Sequence, residues 1–231
     1  YDSLVNMNDN SICTYGGCKD TTALNYSPSA DIDNGSCKFF IGCDWLQLGQ
    51  NIIGESYNEH NGNSVSTNYD GNIVAIGAPY NEENGQSSGR VSIYENYGDS
   101  WRQLGQDLYG DTVGDNFGYS VSLSADGNIV VIGAPKLNSD NSNNSYSWTG
   151  DGYVKVYEYI GGSWVQINQT LFNGGWNFNQ FVYNGQFGFS SSISSNGNTI
   201  SIGAPLQNNN RGQAYVFENI GGSWTQIGQN I

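Results

Sequence analysis

The stretch SVSLSADGNIVVIGAP, residues 120–135, occurs three times in related form along the chain. The earlier copy is SVSTNYDGNIVAIGAP at residues 64–79, and the later copy is SSISSNGNTISIGAP at residues 191–205. Each copy has an alternating segment, a short polar turn containing glycine, and a nearly all-apolar segment, which is the pattern of two antiparallel strands. The sequence therefore predicts a β-hairpin that is repeated three times.

A tryptophan-containing motif recurs with these hairpins. It reads WLQLGQ, WRQLGQ, WVQINQ and WTQIGQ, and it begins at Trp45, Trp101, Trp164 and Trp224. The spacing of about 60 residues is in the range of one β-propeller blade with its loops. We therefore predict an all-β fold of β-propeller-type, four-stranded blades at about 45–104, 105–167 and 168–231, with an extra strand at Trp45. No segment has a helical period.

The predicted strand order assigns the loops to two faces. Tight turns join strands one to two and three to four, so the longer connections at 51–62, 80–88, 107–116, 136–151 and 171–186 lie together on the other face. Two of these loops carry aromatic residues that the repeat does not require: Tyr146, Trp148, Trp176, Phe178, Phe181 and Tyr183. These side chains could stack on sugars, anchor a protein partner or fill gaps between blades.

The charge of the chain limits its partners. Its 231 residues include 7 Lys+Arg and 21 Asp+Glu, giving a formal net charge of −14. This balance repels nucleic-acid phosphates and anionic membranes, and no apolar run is long enough for direct membrane insertion. The acidity fits a solvated surface or the binding of divalent cations. Asp111 and Asp115, like Glu55 and Glu59, lie four residues apart in one loop and form a candidate Ca²⁺ site.

Residues 1–43 differ from the rest of the chain. The segment CKDTTALNYSPSADIDNGSC at 18–37 resembles a short cysteine repeat of secreted and surface proteins of marine bacteria, algae and their viruses. The resemblance implies a disulfide between Cys18 and Cys37, and the leftover Cys13 and Cys43 could bridge the ends of this disulfide-rich N-terminal module. The ligands of a second candidate Ca²⁺ site, which Asx turns would equally explain, are Asp31, Asp33 and Asn34.

The cysteines favour an oxidising, extracellular or cell-surface location. Four glycosylation sequons agree with that location, although such sequons are common in a chain rich in Asn and Ser. They begin at Asn25, Asn34, Asn143 and Asn168.

A second resemblance concerns the repeats over 44–231. Phe117-Gly118 with the GAP at 133–135, and Phe187-Gly188 with the GAP at 203–205, resemble the FG-GAP repeat of integrin α-chain propellers and of many secreted bacterial and algal proteins. The first copy has Asn61-Gly62 in place of Phe-Gly. The resemblance implies a propeller used for adhesion or ligand display. The calcium loop of integrin-type repeats is replaced here by short turns that contain Asp70, Asp126 or Asn196, so the calcium sites of the family are not expected.

Three blades do not close a propeller, because known rings have four to eight. The chain is therefore expected to be part of a longer polypeptide or to associate with itself or with other surface proteins. These features predict an extracellular structural or adhesion protein, a propeller module of a cell-surface or virion-surface appendage, matrix or filament. The alternative is a lectin-like propeller that binds glycans or proteins with its long-loop face. The single histidine, His60, and the lack of a nucleophile motif predict that the chain is not an enzyme.

Overall fold

The computed structural model describes residues 47–98, 100–137, 152–172 and 185–231. The chain divides into two compact units, 1–48 and 49–231. The predicted disulfide module at 1–43 lies outside the described residues. The second unit contains three antiparallel sheets that follow one another along the sequence.

In each sheet four strands lie side by side in sequence order. We call the first strand the inner strand, because the first strands of neighbouring sheets contact each other, and the fourth strand the outer strand. The first sheet consists of β1 (Ser64–Thr67), β2 (Ile73–Ala78), β3 (Arg90–Asn96) and β4 (Trp101–Gln103), and β5 (Leu108–Tyr109) also pairs with β3. The second consists of β6 (Ser120–Leu123), β7 (Ile129–Ala134), β8 (Tyr153–Ile160) and β9 (Ser163–Gln166), and β10 (Leu171–Phe172) also pairs with β8. The third consists of β11 (Ser190–Ile193), β12 (Thr199–Ala204), β13 (Gln213–Ile220) and β14 (Ser223–Gln226).

Short polar side chains form the turn between the first two strands of each sheet. In the second sheet, Ser124 Oγ accepts the amide hydrogen of Ile129 at 3.0 Å and donates to Asp126. Asp126 Oδ1 also accepts the amide hydrogen of Asn128 at 3.1 Å. Such side-chain bonds satisfy backbone groups that the turn leaves unpaired. Asp126 is therefore a turn former, as the sequence predicts.

A bulge divides the outer strand of each sheet. Gln103 pairs with Tyr94 and Leu108 pairs with Val91, so four residues of the outer strand lie opposite two residues of β3. The second sheet repeats this register with β9 and β10 on β8. In the third sheet, Ile231 exchanges two backbone hydrogen bonds with Ala214 in the same register. The bulge contains a residue with positive φ in each sheet: Gly105, Asn168 and Gly228.

The apolar core lies between the sheets. One cluster joins Ile93 of the first sheet to Phe117 and Ile132 of the second, and the other joins Val156 of the second sheet to Phe187 of the third. The apolar strand β2 is buried throughout and β7 is buried except at Ile129, because each lies inside its sheet. The inner strands β1, β6 and β11 lie next to one another.

The structure confirms an all-β chain with antiparallel sheets of four strands. No closed propeller is seen within the ranges that the structure covers. The extra strand predicted at Trp45 is not formed by residues 47–50, the part of it that is described. In the same parts of the chain, the one helical element is a single turn, Gln207–Asn210, in which Asn208, Asn209 and Asn210 have positive φ.

Candidate functional site

The loop before the inner strand of the first sheet, residues 54–62, holds two carboxylates against one guanidinium group. Glu59 folds back onto its own loop, where Oε1 accepts the amide hydrogen of Glu55 at 2.6 Å and Oε2 accepts from Asn81 Nδ2 at 2.8 Å. Arg90, at the start of β3, donates to Glu55 Oε2 at 2.7 Å and to Glu59 Oε1 at 3.2 Å. Arg90 and Glu59 are each 2% exposed, so they form a buried ion pair.

Arg90 remains charged in this buried position. Asp107 Oδ2 lies 3.6 Å from Arg90 Nη1 and adds a third negative group. Burial opposes the charged guanidinium, but the hydrogen bond that Arg90 donates to Glu55 and the charges of Glu59 and Asp107 outweigh it and raise the Arg90 pKa. The cluster therefore fixes the loop to β3 through charge-assisted hydrogen bonds.

The equivalent loop of the second sheet, residues 110–118, also folds a carboxylate back onto its own backbone, but with different partners. Asp115 accepts from the amide and the hydroxyl of Thr112 at 2.8 and 2.7 Å. It also accepts from the Tyr153 hydroxyl at 2.8 Å, while Lys155 Nζ donates to Asp111 Oδ1 at 2.6 Å. A tyrosine and a lysine of β8 thus occupy the place that Arg90 takes in the first sheet.

Tyr153 stays protonated in this arrangement. Burial and the neighbouring charge of Asp115 both raise its pKa, because each disfavours a phenolate. The neutral hydroxyl donates to Asp115 and accepts the amide hydrogen of Asp111 at 3.2 Å. Asp115, which is 1% exposed, therefore has short hydrogen bonds to neutral groups and a longer ion pair, 3.7 Å, with the partly exposed Lys136.

The predicted Ca²⁺ ligands Asp111 and Asp115 thus contact protein donors. A calcium ion at this loop would have to displace Lys155 from Asp111, so calcium binding here stays a prediction. Among the residues described, the structure has no group of three or more His, Cys, Asp or Glu side chains that could hold a metal ion.

Serine residues of the inner strands bind the next sheet. Ser64 Oγ donates to the Gly118 carbonyl oxygen at 2.7 Å, and Ser120 Oγ donates to the Gly188 carbonyl oxygen at 2.9 Å. The GAP glycines of the first two sheets, Gly77 and Gly133, lie against the same carbonyl groups, and a Cβ atom on Gly77 would collide with Gly118. The repeat therefore needs glycine at this position because two backbones approach closely.

Two further contacts link the inner strands of neighbouring sheets. The amide groups of Leu123 and Ile193 donate to the hydroxyl groups of Ser66 and Ser122, at 3.0 and 3.1 Å. In the turns, the amide groups of Tyr69 and Ala125 donate to the carbonyl groups of Ala125 and Ser195, each at 3.0 Å. We refer to the serine-to-glycine, amide-to-serine and turn-to-turn bonds together as the inner contacts.

Gln106 and Gln169, in the bulges of the first two sheets, and Gln50, ahead of the first sheet, each bind the backbone of a tryptophan on the following outer strand. The side-chain nitrogen of each glutamine donates to the Trp carbonyl and its side-chain oxygen accepts the Trp amide hydrogen. These outer clamps are Gln50 with Trp101 (2.9 and 3.0 Å), Gln106 with Trp164 (2.7 and 3.0 Å) and Gln169 with Trp224 (2.7 and 3.4 Å).

The third sheet has one face that no other described sheet covers, which we call its outward face. The groups that make the inner contacts and outer clamps in the other sheets recur on this sheet and have no partners in the described part of the chain. Ser190, Ser192, Ser195 and Gln229 are the equivalents of the groups that make the inner contacts and the outer clamps. A Cβ atom on Gly203 would meet only Ser190 there, so the space taken by a glycine carbonyl at the two other sheets is open.

A pocket lies between the long loops of the first sheet. It has a volume of about 290 Å³, and its lining consists of Ser56, Tyr57, Glu59, Tyr80, Glu82 and Glu83. Tyr57 is 94% exposed at its rim, and the ring of His60 packs edge-on against Tyr80 with 4.8 Å between centroids. The pocket is therefore open, acidic and bordered by aromatic rings.

Most of the other predicted site residues lie outside the described residues. These are the cysteines Cys13, Cys18, Cys37 and Cys43, the oxygen ligands Asp31, Asp33 and Asn34, the sequons at Asn25, Asn34 and Asn143, and the aromatic residues Tyr146, Trp148, Trp176, Phe178, Phe181 and Tyr183. Asn168 is described, and its side-chain nitrogen is buried in the outer bulge. The acceptor atom of that sequon is therefore away from solvent in the folded chain.

The outer clamps were not predicted, although their signal is present in the sequence. The second glutamine of the W-x-Q-x-x-Q motif recurs in all four copies. Its regular distance from tryptophan indicated a role in the repeat. The pairing of carboxylates with Arg90 and Lys155 had no such signal, because the cation lies far from the loop in sequence.

Comparison with known proteins gives one family match and several distant structural likenesses. No curated protein matches the chain. Among solved structures, a putative 6-phosphogluconolactonase from Bacteroides uniformis is 16% identical, with a TM-score of 0.44 over 72% of this chain and 39% of that one. The periplasmic gluconolactonase PpgL of Pseudomonas aeruginosa is 16% identical, with a TM-score of 0.42 over 68% and 39%. Sqt1 of Saccharomyces cerevisiae is 14% identical, with a TM-score of 0.41 over 74% and 35%.

These findings correct the expectation that the chain is not an enzyme, because two of the three similar structures are described as lactonases. We therefore withdraw that expectation. At TM-scores below 0.5 the likeness assigns no reaction or substrate to this chain, which covers less than two-fifths of each of these structures.

The described residues contain no helix that is both long and apolar enough to cross a membrane. The FG-GAP repeat family matches residues 110–154, which begin at the carboxylate loop of the second sheet and end in β8. The chain therefore contains an FG-GAP repeat at 110–154.

Proposed function

We propose that the protein is an extracellular structural or adhesion protein, a propeller-type module of a cell-surface or virion-surface appendage, matrix or filament. In this proposal the sheets act as blades, and the array of blades is completed by self-association or within a longer chain. The N-terminal module would be cross-linked by Cys18–Cys37 and Cys13–Cys43.

One observation carries this proposal. The inner contacts are made in the same way at both junctions between sheets, and their equivalents on the third sheet have no partner among the described residues. A repeated junction with an open outer face is typical of arrays that extend by adding further units. A structural protein that assembles from repeated units needs such a junction.

Cryo-electron microscopy of the protein in material from its native source tests the proposal. We expect rings or filaments in which repeated copies of the sheets complete one another, located at a surface or in a matrix. Isolated particles inside cells, with no periodic assembly, would contradict the proposal.

The open pocket of the first sheet favours a second candidate function. Aromatic rings beside carboxylates are the groups that bind sugars, because rings stack on the sugar faces and carboxylates accept from hydroxyl groups. Tyr57, Tyr80 and Glu82 provide both kinds of group at one rim. The candidate is carbohydrate binding on the long-loop face.

A glycan array with wild-type protein and a Tyr57→Ala variant tests this candidate. Tyr57 is almost fully exposed, so its replacement leaves the fold intact and removes one stacking surface. We expect bound glycans to be lost in the variant. A Tyr97→Ala variant, which changes an exposed tyrosine outside the pocket, is the control, and equal loss in both variants would contradict the assignment.

A further inference from the structure

The first sheet has free backbone groups that match the unpartnered groups of the third sheet. Gly62 occupies the place of Gly118 and Gly188, with the same positive φ and the same bond from its amide to a GAP glycine, at 3.1 Å to Gly77. Its carbonyl group has no partner among the described residues, whereas those of Gly118 and Gly188 accept from a serine of the preceding sheet. Gly62 can therefore accept from a serine placed like Ser190.

The other two inner contacts are also open on the first sheet. Asn68 donates its amide hydrogen to Ile73 within the sheet, so the amide of the adjacent Thr67 points to the opposite edge, as strand geometry requires. Thr67 is the equivalent of Leu123 and Ile193, which donate to serines. The Tyr69 carbonyl is the equivalent of the Ala125 and Ser195 carbonyls. Thr67 and Tyr69 thus match Ser192 and Ser195 of the third sheet.

Burial supports the same pairing. Val65 of the first sheet is 64% exposed, whereas its equivalent Val121 in the second sheet is 8% exposed beneath the first sheet. On the third sheet, Ser201 is exposed and Ala214 is partly exposed, whereas their equivalents Val131 and Val154 are fully buried. The two faces are therefore uncovered at the positions that the internal junctions bury.

We propose that the outward face of the third sheet docks onto β1 and its flanking residues in the first sheet of a second copy of this chain. The three inner contacts would form between Ser190 and Gly62, between Ser192 and Thr67, and between Ser195 and Tyr69. This inference rests on the proposed function and names its partner. The contact is head-to-tail, because the two faces differ, and such a contact generates a closed ring or an open filament.

The intermolecular junction is weaker than the two internal ones. Ser201 takes the place of Ala75 and Val131, and Ala214 takes the place of Val91 and Val154, so less apolar surface is buried. No outer clamp forms across this junction. Gln229 of one copy would have to bind Trp101 of the other, and the backbone of Trp101 is already bound by Gln50. The assembly therefore depends on protein concentration.

Two single variants test the docking, each blocking one face. Ser192→Arg places a large charged group on the third sheet, and Val65→Arg places one on the first sheet; both positions are exposed, and circular dichroism checks that each variant folds. Ser223→Arg, on the exposed outer edge of the third sheet, is the control. Analytical ultracentrifugation of the full chain measures the association.

We expect assemblies for the wild type and for Ser223→Arg, and monomers for Ser192→Arg and Val65→Arg alone. Mixing the two blocked variants leaves one competent face on each, so the mixture should form a 1:1 dimer and nothing larger. If the wild type assembles but the blocked variants assemble equally well, or their mixture stays monomeric, the docking is wrong and the proposed self-association stands. If the wild type stays monomeric at every concentration, both the docking and self-association are overturned.

Discussion

The first and second sheets carry the same loop at the same place and fill it with different chemistry. In the first sheet, the buried Glu59 pairs with the buried guanidinium of Arg90. In the second, the equivalent Asp115 is hydrogen-bonded by Tyr153 and Thr112, and its cation, Lys136, lies farther away at 3.7 Å and is partly exposed. The comparison teaches that the first two sheets share a carboxylate folded onto its own loop, whereas the groups that bind this carboxylate differ between the two sheets, and the third sheet has Gly185 at the same place.

The largest expected effect on the free energy of unfolding concerns the residue before the glycine that ends each loop. Phe117 is fully buried between the first two sheets, whereas the first sheet has the partly exposed Asn61 at that place. Phe117→Ala should lower the free energy of unfolding by about 3 to 5 kcal/mol, because it leaves a cavity in the core. Urea unfolding measures this. Asn61→Ala is the matched change in the first sheet and should cost much less; equal losses would contradict the comparison.

The next effect separates the two carboxylates. Glu59→Ala should cost about 2 to 4 kcal/mol, because it leaves Arg90 buried with only Glu55 and Asp107 as partners. Asp115→Ala should cost about 1 to 2 kcal/mol, since its main partners are neutral groups. Urea unfolding of both variants gives the difference. A larger loss for Asp115→Ala would show that the ion pair does not distinguish the sheets.

The outer clamps give a smaller difference. Gln106 binds the backbone of Trp164, a buried residue, whereas Gln50 binds that of Trp101, which is partly exposed. Gln106→Ala should therefore cost about 1 kcal/mol, and Gln50→Ala should cost less, because water replaces its bonds. Thermal unfolding of the two variants under one condition tests the order. The reverse order would place the stronger clamp at the first sheet.

The smallest effect is a pH dependence of the turn in the second sheet. Burial opposes the charge of Asp126, but hydrogen bonds from Ser124 and Asn128 outweigh it and lower the Asp126 pKa. A lowered folded-state pKa stabilises the fold above the unfolded pKa of about 3.9, and this contribution disappears as the pH falls through the folded value.

Asp126→Asn tests this dependence, because the third sheet already uses Asn196 in the same turn with the same bonds to Oδ1. The variant should unfold at a slightly lower temperature than the wild type at pH 7. At a pH below the folded pKa the two proteins should unfold together. A difference that grows on acidification would have the wrong sign for this carboxylate.

The sheets could be predicted from the sequence because their signals are local. The hairpin turns at 68–72, 124–128 and 194–198 lie between segments whose alternation and apolarity directly indicate strands. The equivalence of Asn61-Gly62 to Phe-Gly was also visible, because this dipeptide precedes the first hairpin at the same distance. The structure agrees, since Gly62 has the positive φ of Gly118 and Gly188.

The partners of the carboxylates could not be predicted, because they depend on pairing between distant segments. Glu59 meets Arg90, and Asp111 meets Lys155, only when the sheets have formed. A pair of carboxylates four residues apart looks the same in sequence whether a metal ion, a lysine or a tyrosine hydroxyl lies beside it. The glutamines of the outer clamps differ from these carboxylates, because their regular spacing in the W-x-Q-x-x-Q motif is visible in the sequence and only their partners are not.

The outer bulge has a consequence for how copies of this chain can meet. An unbroken edge strand exposes a row of amide and carbonyl groups that recruits strands from other molecules into amyloid-like ladders. Here the register shift after Gln103, Gln166 and Gln226 divides each edge into pieces of two to four residues. The divided edges therefore disfavour ladder-like growth, so the docking proposed above would be through the faces of the sheets and not through their edges.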